Sequence, residues 1–98
     1  MENLTQLFKT LADPSRMKIL FRIGSSVACI SEVASKLNIS ESSVSHHLHI
    51  LRMVGLVHWH REGKTILYAM EDDRVRSIII QGCQHIKESF KTKSFMHG

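Results

Sequence analysis

Between Ser40 and Val57 the chain reads SESSVSHHLHILRMVGLV, small hydroxyl residues followed by histidines. Hydroxyls and imidazoles donate hydrogen bonds to phosphate oxygens and to base-edge acceptors such as guanine N7. Small side chains also let a helix backbone come close to a duplex. The candidate DNA-contacting residues of this run are Ser42, Ser43, Ser45, His46, His47 and His49, with Glu41 also outward in the first turn. Val44, Leu48 and Leu51 fall on the opposite, core-facing stripe. Arg61 and Lys64 flank a later glycine and supply cations that can reach a flanking phosphate or the minor groove. Taken singly, each residue has a plainer use: Ser40 as a helix cap, the histidines as ornaments of a surface helix. The whole run, followed by a basic turn, points to DNA.

These residues need elements to hold them. Leu4, Leu7, Phe8 and Leu11 repeat at i, i+3, i+4, i+7 and predict a first amphipathic helix. Asp13-Pro14 restarts the chain, with Asp13 as cap and Pro14 in the first turn of a second helix. That helix carries Met17, Ile19, Leu20, Phe21 and Ile23, ends near Gly24, and is apolar enough to be enclosed on most sides. A short third helix opens at Ile30-Ser31 and ends near Asn38. Ser40 caps the fourth, which runs to about Met53, and Gly55 suits the left-handed position after it. Helix, short turn, helix is a helix-turn-helix unit.

The apolar period then changes from helical to two. Val57, Trp59 and Arg61 alternate with His58 and His60. Ile66, Tyr68 and Met70 follow the turn at Glu62-Gly63-Lys64, which predicts a β-hairpin. Glu71, Asp72 and Asp73 favour a helix N-terminus, and Val75, Ile78, Ile79, Gly82 and Ile86 stripe the helix that follows. From Lys91 onward the tail is polar, and the expectation is that it frays. The order α-α-α-α-β-β-α, mainly α with a β-hairpin wing, is that of a winged helix-turn-helix.

Ninety-eight residues predict one domain over residues 1–98. Thirteen lysines and arginines against nine aspartates and glutamates give a net charge of +4, which suits a polyanionic partner. Cys29 and Cys83 form no CxxC pair, and the chain start lacks the basic and apolar runs of a signal peptide. No apolar stretch approaches the ~20 residues of a membrane span, so the expected setting is the cytoplasm, with reduced thiols. A glycine-rich phosphate loop, a nucleophile elbow and an HExxH motif are all absent, which argues against an enzyme.

Phe8-Lys9-Thr10-Leu11-Ala12-Asp13-Pro14-Ser15-Arg16, Ile30-Ser31-Glu32-Val33-Ala34, Ser43-Val44-Ser45-His46-His47-Leu48, Leu51-Arg52, Gly55-Leu56-Val57, Arg61-Glu62-Gly63-Lys64 and Tyr68 resemble the ArsR/SmtB family of winged-helix repressors. The resemblance runs from about Phe8 to Glu88. It implies a homodimer joined through the first and last helices, bound to an inverted-repeat operator in double-stranded DNA. An inducer, usually a metal ion, would release it.

The family's sensor sites set further expectations. One pairs Asp-x-His with His-x-x-(His or Glu) on the last helix. Here Asp72, His85 and Glu88 keep ligand-capable side chains, whereas Arg74 departs from the pattern. His85 and Glu88 share a helix face, but Asp72 lies thirteen residues earlier, ~20 Å away along the axis. Two last helices packed antiparallel would bring Asp72 of one subunit to His85 and Glu88 of the other, a nitrogen and oxygen set suited to zinc, cobalt or nickel. The alternatives stay open: Asp72 as a cap, Arg74 as an ion-pair partner across the interface, or no functional metal site. A second family site uses Cys-x-Cys before the third helix, and Cys29-Ile30-Ser31 lacks one thiol. A third possibility is a redox pair of Cys29 and Cys83, which requires Cα atoms within ~7 Å.

Overall fold

A computed structural model describes residues 2–82, 84 and 85. Its elements are α1 (Glu2–Leu11), α2 (Pro14–Ser25), α3 (Ile30–Leu37), α4 (Glu41–Met53), β1 (Val57–Glu62) and β2 (Thr65–Met70). A fifth helix, α5, covers residues 73–82. This is the order expected from the residues. Cys83, Ile86, Glu88 and the tail from Lys91 lie outside the described residues.

Local chemistry explains each boundary. Asp13 is extended, and its carboxylate accepts the Arg16 N–H at 3.0 Å while Pro14 begins α2. Asn38 adopts φ +57°, the left-handed geometry that stops α3, and its N–H bonds the Ala34 carbonyl. Two residues later Ser40 Oγ accepts the Ser43 N–H at 3.1 Å and starts α4. At the other end Gly55 sits at φ +79°, and the N–H groups of Gly55 and Leu56 bond the carbonyls of Arg52 and Leu51. That pair of bonds is a Schellman motif. Ser40→Ala should therefore lower stability by about 1 kcal/mol. Urea unfolding of the two proteins checks this, and an unchanged midpoint would show that the cap is dispensable.

The hairpin turn differs slightly from expectation. Glu62 ends β1 paired with Thr65, so the turn is only Gly63-Lys64. Gly63 has φ +63° and Lys64 does not share it, the demand of a two-residue turn with glycine in first position. The register pairs Val57 with Met70, Trp59 with Tyr68 and Arg61 with Ile66, so these six share one face. A further pairing was not legible from periodicity: Ala28 and Tyr68 exchange N–H···O bonds of 3.1 and 2.8 Å, giving the wing root a third, one-residue strand.

The core lies between α2, α3, α4 and the wing root. Ile19, Leu20, Ile23, Ala28, Val33, Val44, Leu48, Leu51, Val57 and Met70 are buried there. Met17 and Phe21 are only half-buried, so α2 is less enclosed than its composition suggests. At its end Gly24 passes so close to β2 that a Cβ would lie 2.6 Å from the Met70 methyl. The N-terminal end of α5 returns to the same spot, where Arg76 Nε donates to the Gly24 carbonyl at 3.0 Å.

Candidate nucleic-acid interface

With Val44, Leu48 and Leu51 locked in the core, α4 can present only its other side. Glu41, Ser42, Ser45, His46 and His49 are exposed along it. Ser43 is half-buried, its N–H held by the Ser40 cap. Ser42 Oγ lies 3.3 Å from Ser40 Oγ, so hydroxyls cluster at the end of the helix whose free N–H groups carry partial positive charge.

His47 is placed differently. It is half-buried, with Nδ1 enclosed, and turns toward the start of α2 rather than joining the exposed row. Its ring centroid is 5.8 Å from that of His46, at an interplanar angle of 56°. Desolvation is the main influence on the ring and lowers its pKa; Asp13 opposes this, and the charges of Arg16 and His46 add to it. Asp13 is itself held below its ordinary value, first by the Arg16 N–H and then, against some desolvation, by the Arg16 and His47 charges. The spacing carried a signal for this placement. Val44, His47, Leu48 and Leu51 stand at i, i+3, i+4 and i+7, so His47 occupies a slot on the inward stripe.

The wing carries its cations outward. Arg61 and Lys64 are both exposed, at and beside the Gly63 turn. A contact not foreseen from the sequence ties the wing to the reading helix: the Arg52 guanidinium carbon lies 5.3 Å from the Trp59 ring centroid. Cation–π contacts at such partly exposed sites contribute about 0.5–1 kcal/mol. The other hairpin face pairs histidines with carboxylates, His58 Nδ1 with Glu71 at 3.6 Å and His60 Nε2 with Glu62 at 3.5 Å.

The sensor candidates are spread over two regions. Asp72 caps α5, accepting the Val75 N–H at 2.9 Å through one carboxylate oxygen. Asp73 pairs with Arg76, while Arg74 and His85 are exposed. Cys29 is half-buried immediately before α3, with Sγ 3.2 Å from Ser31 Oγ. Its thiol and N–H both serve the Glu32 carboxylate and lower the pKa of that group. Among the described residues no three His, Cys, Asp or Glu side chains converge as a metal site would require. Glu88 and Cys83 are outside those residues.

A helix-turn-helix with a polar reading face and a basic wing defines a DNA-binding regulator. Comparison with known proteins agrees. The family model "Bacterial regulatory protein, arsR family" matches residues 13–58. A transcriptional repressor SmtB homolog from Synechocystis sp. is 33% identical over 88 residues, 90% of this chain and 67% of that protein. A cadmium resistance transcriptional regulatory protein CadC homolog from Staphylococcus aureus is 29% identical over 87 residues, 88% of this chain and 72% of its own. Among solved structures, a homodimeric winged helix-turn-helix DNA-binding domain from Mycobacterium bovis superposes with a TM-score of 0.87. It is 21% identical and covers 93% of this chain and 84% of that one, which speaks to the fold. The chain belongs to the ArsR/SmtB family of transcriptional regulators, a family of non-enzymes. No helix among the described residues is long and apolar enough to cross a membrane.

Proposed function

We propose that this chain is a sequence-specific repressor that acts in the cytoplasm as a homodimer on an inverted-repeat operator. The observation that carries the reading is the exposed row of Ser42, Ser45, His46 and His49 on a capped helix whose opposite side is fixed in the core. In this reading the N-terminal half of α4 enters the major groove, with Ser43 near the phosphates. Arg61 and Lys64 neutralise flanking phosphates or enter the minor groove. Exposed apolar side chains on α1 (Phe8, 63% exposed) and α5 (Ile78, 69%) support a second copy packed on those helices. A two-fold pair of reading helices would meet half-sites ~34 Å apart, one turn of duplex.

For the inducer, we infer a divalent metal such as zinc, nickel or cobalt held between subunits by Asp72, His85 and Glu88; that two relatives are named for cadmium supports a metal in general. Asp72 fits this in part, since its helix cap occupies one carboxylate oxygen and leaves the other available. His85 is exposed, as an intersubunit ligand must be before assembly. Arg74 stands where the family pattern has a ligand, and its positive charge opposes a cation there. A metal bound there would fix the two last helices relative to each other.

One experiment tests both levels. Duplexes are selected from a random pool with the purified protein, and binding of the enriched duplex is titrated with and without zinc. Enrichment of an inverted repeat is expected, and enrichment of nothing would remove the DNA reading. Zinc is expected to weaken binding by about tenfold, a typical coupling, in wild type and not in His85→Ala. Zinc-insensitive binding would eliminate the metal site and leave the regulator intact. An oxidant arm with Cys29→Ser reports on the thiol alternative with Cys83.

A further inference from the structure

Three of the four residues on the inward stripe of α4 are fully buried hydrophobics. The fourth, His47, is an ionisable ring in a packing position. It faces the start of α2, where Arg16 is largely enclosed, with its side chain 17% exposed and 3.6 Å from Asp13. Arg16 Nε and His47 Nδ1 are both shut away from solvent, and neither has a hydrogen-bond partner among the described residues. The two atoms are chemically complementary. A guanidinium N–H can only donate, and a neutral imidazole with its proton on Nε2 accepts at Nδ1. Protonating the imidazole abolishes the acceptor, sets a second cation near Arg16, and creates a rival for the Asp13 carboxylate that caps α2.

We propose that His47 is a positioning residue of the reading helix: neutral, it seats α4 against the first turn of α2, and protonated, it unseats α4 and weakens DNA binding. The inference rests on the DNA-binding reading above. The charged groups that bear on the ring are Asp13 and Arg16 from the α2 side and His46 on its own helix. None from α3 or β1, which also pack on α4, acts on it among the described residues.

The sign follows from burial. Desolvation holds His47 below its ordinary value of 6.5, so the folded chain gives up this proton more readily than the unfolded chain. Its stabilising contribution is fully present above the unfolded value and is lost as pH falls through the depressed folded value. If only the neutral form seats α4, apparent DNA affinity scales with the neutral fraction. Binding then weakens by about tenfold at one pH unit below the folded pKa.

Wild type and His47→Gln are compared on the enriched duplex by fluorescence anisotropy at fixed salt, from about pH 8 to about pH 5, the range in which histidine titrates. Glutamine keeps a hydrogen-bonding side chain and does not titrate. The two proteins are expected to bind within about threefold of each other at the alkaline end. The variant should become the tighter binder as pH falls through the depressed folded value of His47, by about tenfold one unit below it. A ratio that stays constant with pH would overturn the assignment while leaving the DNA reading in place. Should circular dichroism show the variant unfolded, NMR titration of His47 in the wild type decides instead. DNA must lower its pKa, and an unmoved pKa overturns the proposal. A wild type that enriches no duplex at any pH overturns both.

Discussion

Ser45→Glu is expected to reduce operator affinity at least about a hundredfold while leaving the fold intact. Ser45 is exposed midway along the row from Ser42 to His49. Losing a good base-edge contact costs about 1–3 kcal/mol, and a carboxylate inserted between phosphate backbones adds repulsion. Substitutions at exposed positions usually change stability by no more than about 0.5 kcal/mol. Circular dichroism should therefore be unaltered while anisotropy against the selected duplex collapses. Ser45→Ala, which removes only the hydroxyl, should show a smaller loss. Full affinity with glutamate at 45 would take α4 out of the groove.

Leu48→Ala is expected to have the largest effect on stability. Leu48 is fully buried on the opposite side of the same helix. Truncating such a side chain costs roughly 2–5 kcal/mol, transfer and cavity included, against a total stability of about 5–15 kcal/mol for a typical domain. The melting temperature should drop by roughly 10–30 °C. A thermal scan checks this, and a fall of only a few degrees would mean that α4 is not anchored through Leu48. The two substitutions divide the helix cleanly: one side answers in binding, the other in folding.

Much of this was legible because the relevant signals are local. Ser40 and Gly55 bracket α4 by chemistry that needs no tertiary partner, a side-chain acceptor at one end and a left-handed residue at the other. The hairpin followed from alternation and a glycine turn, although its register did not. What escaped needed knowledge of the third dimension. Glu62 has the composition of a turn residue, yet it pairs with Thr65 because Gly63 alone can bend the chain. Ala28 joins the wing through a single pairing, too short to leave a period. Counted by chemistry, His47 joins the reading residues; counted by position, it belongs to the inward stripe. The structure gives weight to position. Asp72 was ambiguous for another reason: a carboxylate before a helix reads equally as cap and as ligand. The cap is what the single chain displays, and the ligand reading depends on a second subunit.

Among the described residues the hairpin is fastened at one end only. Met70 lies in the core and Ala28 grips Tyr68 at the root, whereas Gly63 and Lys64 at the far end are exposed. Residues can thus be inserted in pairs at the tip, preserving the alternation, without disturbing the buried residues. The reach of the wing along a duplex is then a separable trait, able to diverge between related regulators while the helix that reads the half-site stays as it is.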